Sequence, residues 1–219
     1  MNVAIAGAHG QTALRLTRLL VANGERVIGL IRNPDHASDV SDAGASPVLC
    51  DLEHATVEEI ALAIDTAEAV VFAAGSGAEG GAARTLSVDR DAAIKLLGAA
   101  TIVGAPRYLM ISGAGPENPP SEDLTFEVYL RAKAEADAEL AASDREWTIV
   151  RPGRLTDGPG TGYVRIDAAP FAASVPRDDV ASLLALLLAD ARSARRILYI
   201  NSGPKPLRDA LDEILGGPA

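Results

Sequence analysis

Short apolar runs alternate with longer Ala/Leu-rich segments along this chain, and that alternation restricts its fold more than any single motif. The runs lie at residues 3–6, 26–31, 46–50, 69–73, 108–112, 148–150 and 196–200. They are short and apolar throughout, as strands buried on both faces of a parallel sheet must be. Between them, residues 11–22, 57–64, 86–103, 124–142 and 179–189 carry apolar side chains at helical spacing. Residues 204–215 read as a closing helix ahead of a Gly/Pro tail. The expected architecture is α/β, a Rossmann-type doubly wound, mostly parallel sheet of about seven strands with helices on both faces. With 219 residues, 48% of them hydrophobic, one substantial core is expected, hence one domain over residues 1–219. Its substrate-side loops and terminal elements should lie mainly in 151–219.

Composition removes several function classes. A formal net charge of −10 and a pI near 4.8 argue against nucleic acid or an anionic membrane surface as partner. Cys50 is the only cysteine, so an intrachain disulfide and a cysteine-based zinc site are excluded, and a cytoplasmic setting is expected. The first seven residues lack the basic region of a signal peptide. The longest strongly apolar stretch, residues 180–189, is roughly half a membrane span. His36 and His54 show no metal-ligand spacing, so no metal is expected. Gly-Lys-Ser/Thr, Gly-x-Ser-x-Gly and His-Glu-x-x-His are all absent.

The first strand runs directly into Gly7-Ala8-His9-Gly10-Gln11-Thr12-Ala13 and then a helix. Glycines there let the backbone turn tightly against a pyrophosphate, whose charge the free N–H groups of the helix start stabilise. His9, Gln11 and Thr12 join Gly7 and Gly10 as candidate phosphate contacts. Twenty-five residues beyond Gly7, the second strand ends at Arg32, where a site for NAD usually carries Asp or Glu. An arginine there suits a 2′-phosphate, so NADP(H) is the expected cofactor and NAD(H) the alternative. Asp51 and Leu52 follow the third strand, where a carboxylate can accept from an adenine amino group. Residues 75–83, 113–123 and 151–177 follow strand ends and are the candidate walls of a ligand site. Within the last of these, Arg154, Tyr163, Arg165 and Phe171 are candidate substrate contacts.

Together with Ile31-Arg32-Asn33-Pro34, Cys50-Asp51-Leu52, Ala73-Ala74-Gly75, Ile111-Ser112, Tyr129 with Lys133, and Val150-Arg151-Pro152-Gly153, this order resembles atypical short-chain dehydrogenase/reductases. More narrowly, it resembles the NAD(P)H-binding, NmrA-like proteins related to flavin and biliverdin reductases. The resemblance implies that Ala73, Ala74 and Gly75 flank the cofactor, that Tyr129 and Lys133 serve the nicotinamide ribose and catalysis, and that Pro152 and Gly153 lie near the nicotinamide. Residues at i and i+4 share a helix face, so the Lys133 ammonium should depress the Tyr129 pKa and make the phenol a usable proton donor as hydride arrives. Ser112 should hydrogen-bond the same substrate oxygen. One departure is Ala13 in place of the third fingerprint glycine.

The function expected is NADP(H)-dependent reduction of a small carbonyl, quinone or flavin-like molecule. The alternatives are a non-catalytic redox sensor or scaffold using the same cofactor contacts, and sugar-nucleotide epimerase-like chemistry. A small-molecule substrate is the expected partner, with the protein a monomer or homodimer.

Overall fold

The computed structural model describes residues 1–77, 81–113, 124–171 and 173–217. The strands are β1 (Asn2–Ala6), β2 (Arg26–Ile31), β3 (Ser46–Leu49), β4 (Ala69–Phe72), β5 (Arg107–Ile111), β6 (Glu146–Pro152), β7 (Arg154–Thr156), β8 (Tyr163–Asp167), β9 (Ser174–Pro176), β10 (Arg196–Ser202) and β11 (Lys205–Pro206). The helices are α1 (Gln11–Ala22), α2 (Ala37–Asp42), α3 (Val57–Ala63), α4 (Gly81–Thr85), α5 (Ala93–Ile102), α6 (Leu124–Ala142), α7 (Arg177–Ala189) and α8 (Leu207–Leu215). A wider, π-helical stretch, Leu86–Ala92, joins α4 to α5.

Seven parallel strands in the order β3-β2-β1-β4-β5-β6-β10 form the body of the main sheet, and they correspond to the seven apolar runs. Antiparallel β8 and then β11 extend it beyond β10 to nine strands. Both additions, and the small parallel pair β7–β9, correct the expectation of about seven strands, and three of these four lie in the stretch 151–177 expected to be irregular.

Burial on both faces is visible within β1. Val3 and Ile5 pack into one core with Leu16 and Leu20 of α1, Val40 of α2 and Leu183, Leu184 and Leu187 of α7. Ala4 and Ala6 point to the other, with Ile60 of α3, Leu96 of α5, Leu140 of α6 and Trp147. Helix ends follow local chemistry. At α3 the Thr56 hydroxyl accepts from the Glu59 N–H at 3.2 Å and the Glu59 carboxylate accepts from the Thr56 N–H at 2.8 Å, a reciprocal cap. α1 ends at Asn23, followed by Gly24 at φ +82°. The consequence for function is the reversal of strand order between β1 and β4, where an open α/β sheet opens a crevice at its carboxyl edge.

Candidate active site

That crevice begins at the turn from β1 to α1. Gly7 has φ +76°, and a Cβ there would lie 2.7 Å from the Ala74 Cα, so the turn after β1 packs directly against the turn after β4. Only glycine satisfies both demands. Gly10 closes the turn, its N–H donating to the Gly7 carbonyl at 2.9 Å, and starts α1 with no side-chain cap and no acidic residue in the first turn. Among the described residues no side chain caps these N–H donors, which lie at the positive end of a dipole.

On one side of this turn lies a cavity of about 250 Å³ lined by Gly7, His9, Arg32, Asp51, Leu52 and Glu53 among others. Arg32 is half-exposed and donates to Glu53 at 3.1 Å, while Arg84 approaches the same carboxylate at 3.4 Å and Ser87 donates to its other oxygen at 2.7 Å. Burial opposes ionisation of Glu53, but the hydrogen bonds from Ser87 and Arg84 outweigh it and hold the carboxyl below its usual range. At Asp51 burial is likewise outweighed, here by His54 and the Glu53 N–H. The Lys95 ammonium fixes this loop from beneath, donating to the carbonyls of Leu52, Glu53 and Ala55 at 2.9–3.1 Å. His9 stacks on His36 with ring centroids 3.6 Å apart and meets Asp39 at 2.8 Å.

On the other side is a cleft of about 950 Å³ that shares Gly10, Ala73, Ala74 and Gly75 with the first cavity and continues to Ser112, Tyr129, Lys133, Pro152 and Gly153. Tyr129 and Lys133 lie one turn apart on α6, with Lys133 Nζ 5.9 Å from the Tyr129 ring centroid. Lys133 is buried and pairs with buried Asp89 at 3.1 Å, and it donates to the Ile111 carbonyl at 3.3 Å. Asp89 comes from the π-helical stretch and also accepts from the Ser76 N–H at 3.1 Å. Burial works to strip Lys133 of its proton, but Tyr129 and Asp89 outweigh it and hold the ammonium above its usual range. Burial pushes the Tyr129 phenol up, against the pull of Lys133 and with the added push of Asp89 and Asp137. This corrects the expectation of a depressed phenol, because desolvation outweighs the one favourable charge.

Beneath the cleft, the Ser112 hydroxyl donates to Asp137 Oδ2 at 2.8 Å. Arg151 donates to that oxygen through Nε and Nη2 at 3.2 and 2.8 Å, and to Tyr199 Oη at 2.5 Å through Nη1. Burial pushes the Asp137 carboxyl up to about 7, although the Ser112 hydrogen bond and the Lys133 charge favour its ionised form.

A family model described as NAD(P)H-binding matches residues 7–191. The chain belongs to this NAD(P)H-binding family. A Bacillus subtilis relative described as an uncharacterized sugar epimerase, YhfK, is 35% identical over 215 residues, covering 98% of this chain and 100% of its own length. A Bacillus halodurans structure described provisionally as an NAD-dependent epimerase/dehydratase is 32% identical with a TM-score of 0.91, covering 97% of this chain and 99% of its own. ChuY, an anaerobillin reductase from Escherichia coli O157:H7, shares the fold at 24% identity and a TM-score of 0.78, covering 94% of this chain and 100% of its own.

The residues present fit the family's dinucleotide. Gly7 leaves a cradle that a Cβ would fill, and the uncapped start of α1 meets the junction of the two cavities. Gly7, His9, Gly10, Arg32, Asp51, Leu52, Ala73, Ala74 and Gly75 line the smaller cavity, while Gln11, Thr12, Ser112, Tyr129, Lys133, Pro152 and Gly153 line the larger cleft. Gly153 is also demanded by packing, since a Cβ there would lie 2.0 Å from Asn201 Oδ1 and 2.4 Å from the Ala173 carbonyl. Of the expected substrate contacts, Arg154 and Phe171 line the cleft. Tyr163 stands exposed on β8, and Arg165 lies over the Phe171 ring at 4.4 Å while pairing with Asp167. Of the candidate wall 113–123, residues 114–123 lie outside the described residues, as do residues 78–80 of the wall 75–83 and Ala172 of 151–177. Among the described residues no His/Cys/Asp/Glu group could hold a metal, and no helix is long and apolar enough to cross a membrane.

Sequence reasoning missed Glu53, Asp89, Asp137 and Lys95. Asp137 had a detectable signal, since it repeats the four-residue spacing of Tyr129 and Lys133 on α6. Asp89 had none, because the π-helical stretch sets its direction.

Proposed function

We propose that the chain is an NADP(H)-dependent oxidoreductase that reduces a small carbonyl, quinone or flavin-like molecule in the cleft beside Tyr129. The observation that carries this reading is the meeting of two features in one groove: a Gly7–Gly10 turn with an uncapped helix start, and a Tyr129 phenol beside a buried, charged Lys133. A bound reduced nicotinamide would supply the hydride. Tyr129 holds the proton at Oη, and its raised pKa keeps that proton in place until a substrate oxygen gains charge. Lys133 sets a fixed positive charge near the phenol, which stabilises the phenolate left after transfer. Arg32 and Arg84 offer charge to a 2′-phosphate, and Glu53 between them opposes it. The preference for NADP(H) over NAD(H) thus depends on the arginines outweighing one carboxylate.

The domain assignment over 1–219 belongs to the same proposal, with residues 151–219 supplying Pro152, Gly153, Arg154, Phe171 and Arg177 to the substrate side. The test is NADPH consumption across a panel of quinones, flavins and small ketones, with Tyr129→Phe as control. Turnover with wild type that falls at least a hundredfold in the variant, with NADPH binding intact, supports the reading. Unaltered turnover in Tyr129→Phe would overturn the proton-donor assignment. A second reading, epimerase-like chemistry, is favoured by the descriptions of the Bacillus subtilis and Bacillus halodurans relatives. It requires tightly held NAD(P) that is not consumed, and Tyr129 would act first as base, a role its raised pKa disfavours. A cofactor-binding sensor would instead change conformation with cofactor redox state and consume no NADPH.

A further inference from the structure

We infer that Asp137 is a positioning residue that takes the single proton of Ser112, so that Ser112 meets the cleft as a hydrogen-bond acceptor and selects a bound group carrying an N–H or O–H. This rests on the dinucleotide-binding reading above. A serine hydroxyl has one hydrogen to give and two lone pairs to receive with. Here the hydrogen goes to Asp137 Oδ2 at 2.8 Å, and the same oxygen receives Nε and Nη2 of Arg151. Ser112, Asp137 and Arg151 are each 4–5% exposed, so water does not compete for these contacts.

Two further features hold the arrangement. Among the described residues the Asp137 Oδ1 atom is buried without a hydrogen-bond partner, so a proton taken up by the carboxyl goes there and leaves the three donors on Oδ2 in place. The backbone at Ser112 is fixed, because its N–H donates to the Val150 carbonyl at 2.8 Å and Lys133 holds the preceding Ile111 carbonyl, and the hydrogen bond to Asp137 sets the direction of the hydroxyl. A carbonyl oxygen placed against Ser112 would therefore face a lone pair, and donation to such an oxygen falls to Tyr129. The donor that Ser112 receives has two sources in a loaded cleft, the nicotinamide carboxamide or a substrate hydroxyl.

Two ligand pairs distinguish them. Calorimetry compares NADP⁺ with its 3-acetylpyridine analogue, in which a methyl group replaces the carboxamide nitrogen. Competition on NADPH-loaded protein compares cyclohexanol with cyclohexyl methyl ether, which lacks the hydroxyl hydrogen. Wild type should favour the donor-bearing member of one pair by about fivefold, the usual worth of one net hydrogen bond, and that pair identifies the source. Asp137→Asn, which keeps an acceptor oxygen, should retain the preference. Ser112→Ala and the double variant Asp137→Leu/Arg151→Met should erase it, and Ser112→Ala carries the test alone if the double variant fails to fold. Absence of any preference while NADP⁺ binds, or a preference that survives Ser112→Ala, overturns the inference. Absence of NADP⁺ binding itself removes the cofactor reading, and the inference with it.

Discussion

Replacing Lys133 by Met should unfold the protein more readily than a lost surface charge would, because it strands a buried carboxylate. Lys133 and Asp89 are 4% and 1% exposed at their side chains and 3.1 Å apart. Without the ammonium, Asp89 keeps only the Ser76 N–H at 3.1 Å among its hydrogen bonds in the described residues. Breaking a buried pair from one side costs about 3–5 kcal/mol, since the remaining charge is neither solvated nor compensated. For a chain of this size that is a fall in Tm of about 6–20 °C. Urea unfolding at pH 7 of wild type, Lys133→Met, Asp89→Asn and the double variant supplies the full cycle. The double variant should recover most of the loss, because a neutral amide facing a thioether leaves no buried charge. A Lys133→Met stability within 1 kcal/mol of wild type, or a double variant no better than the single one, would refute this account of the pair. The outcome also governs how activity data are read, since a Lys133 variant that loses turnover loses a structural charge together with the catalytic one proposed for it.

Gly7→Ala should cost roughly 2–4 kcal/mol of stability, the sum of a strained backbone and an overpacked contact with Ala74, measurable by urea unfolding. Glu53→Gln should raise NADPH affinity about two- to fivefold with little change for NADH, because it removes a charge that half-exposed Arg32 now faces; competitive titration reads both. Asp137 has a folded pKa of about 7 against an ordinary value of 3.8. Between those values the native state keeps a proton that the unfolded chain has released. Its contribution to stability is therefore complete below pH 3.8 and lost as pH rises through 7. Asp137→Asn should flatten the stability profile across that window in urea titrations at successive pH values.

Much of the fold was legible because the parallel strands and long helices obey local rules. The helices α1 and α6 fall on the expected residues, and the seven parallel strands of the main sheet match apolar runs. The stretch 151–177 was not legible, since glycines at 153, 158, 160 and 162 mask short strands within it. β8 does alternate, with Val164 and Ile166 buried between exposed Tyr163 and Arg165, but over too few residues to stand out from its turns. In the site, the turn glycine Gly7 was visible because geometry demands that residue type, and the Tyr129/Lys133 spacing was visible because residues four apart share a helix face. The carboxylates Asp89 and Asp137 were not, because a lone acid on a helix ordinarily reads as a solvated face, and only packing against α6 and β6 reveals them as buried. The Tyr129 pKa was misjudged for the same reason: spacing shows the neighbouring charge and hides the burial.

The most direct measurement is calorimetric titration of wild type and Gly7→Val with NADPH, NADP⁺ and NADH, with folding of the variant checked by circular dichroism. The account predicts saturable one-to-one binding of NADPH to wild type, weaker binding of NADH, and loss of both in a folded Gly7→Val protein. Absence of dinucleotide binding to wild type, or equal binding to the folded variant, would contradict placing the cofactor on the turn between β1 and α1.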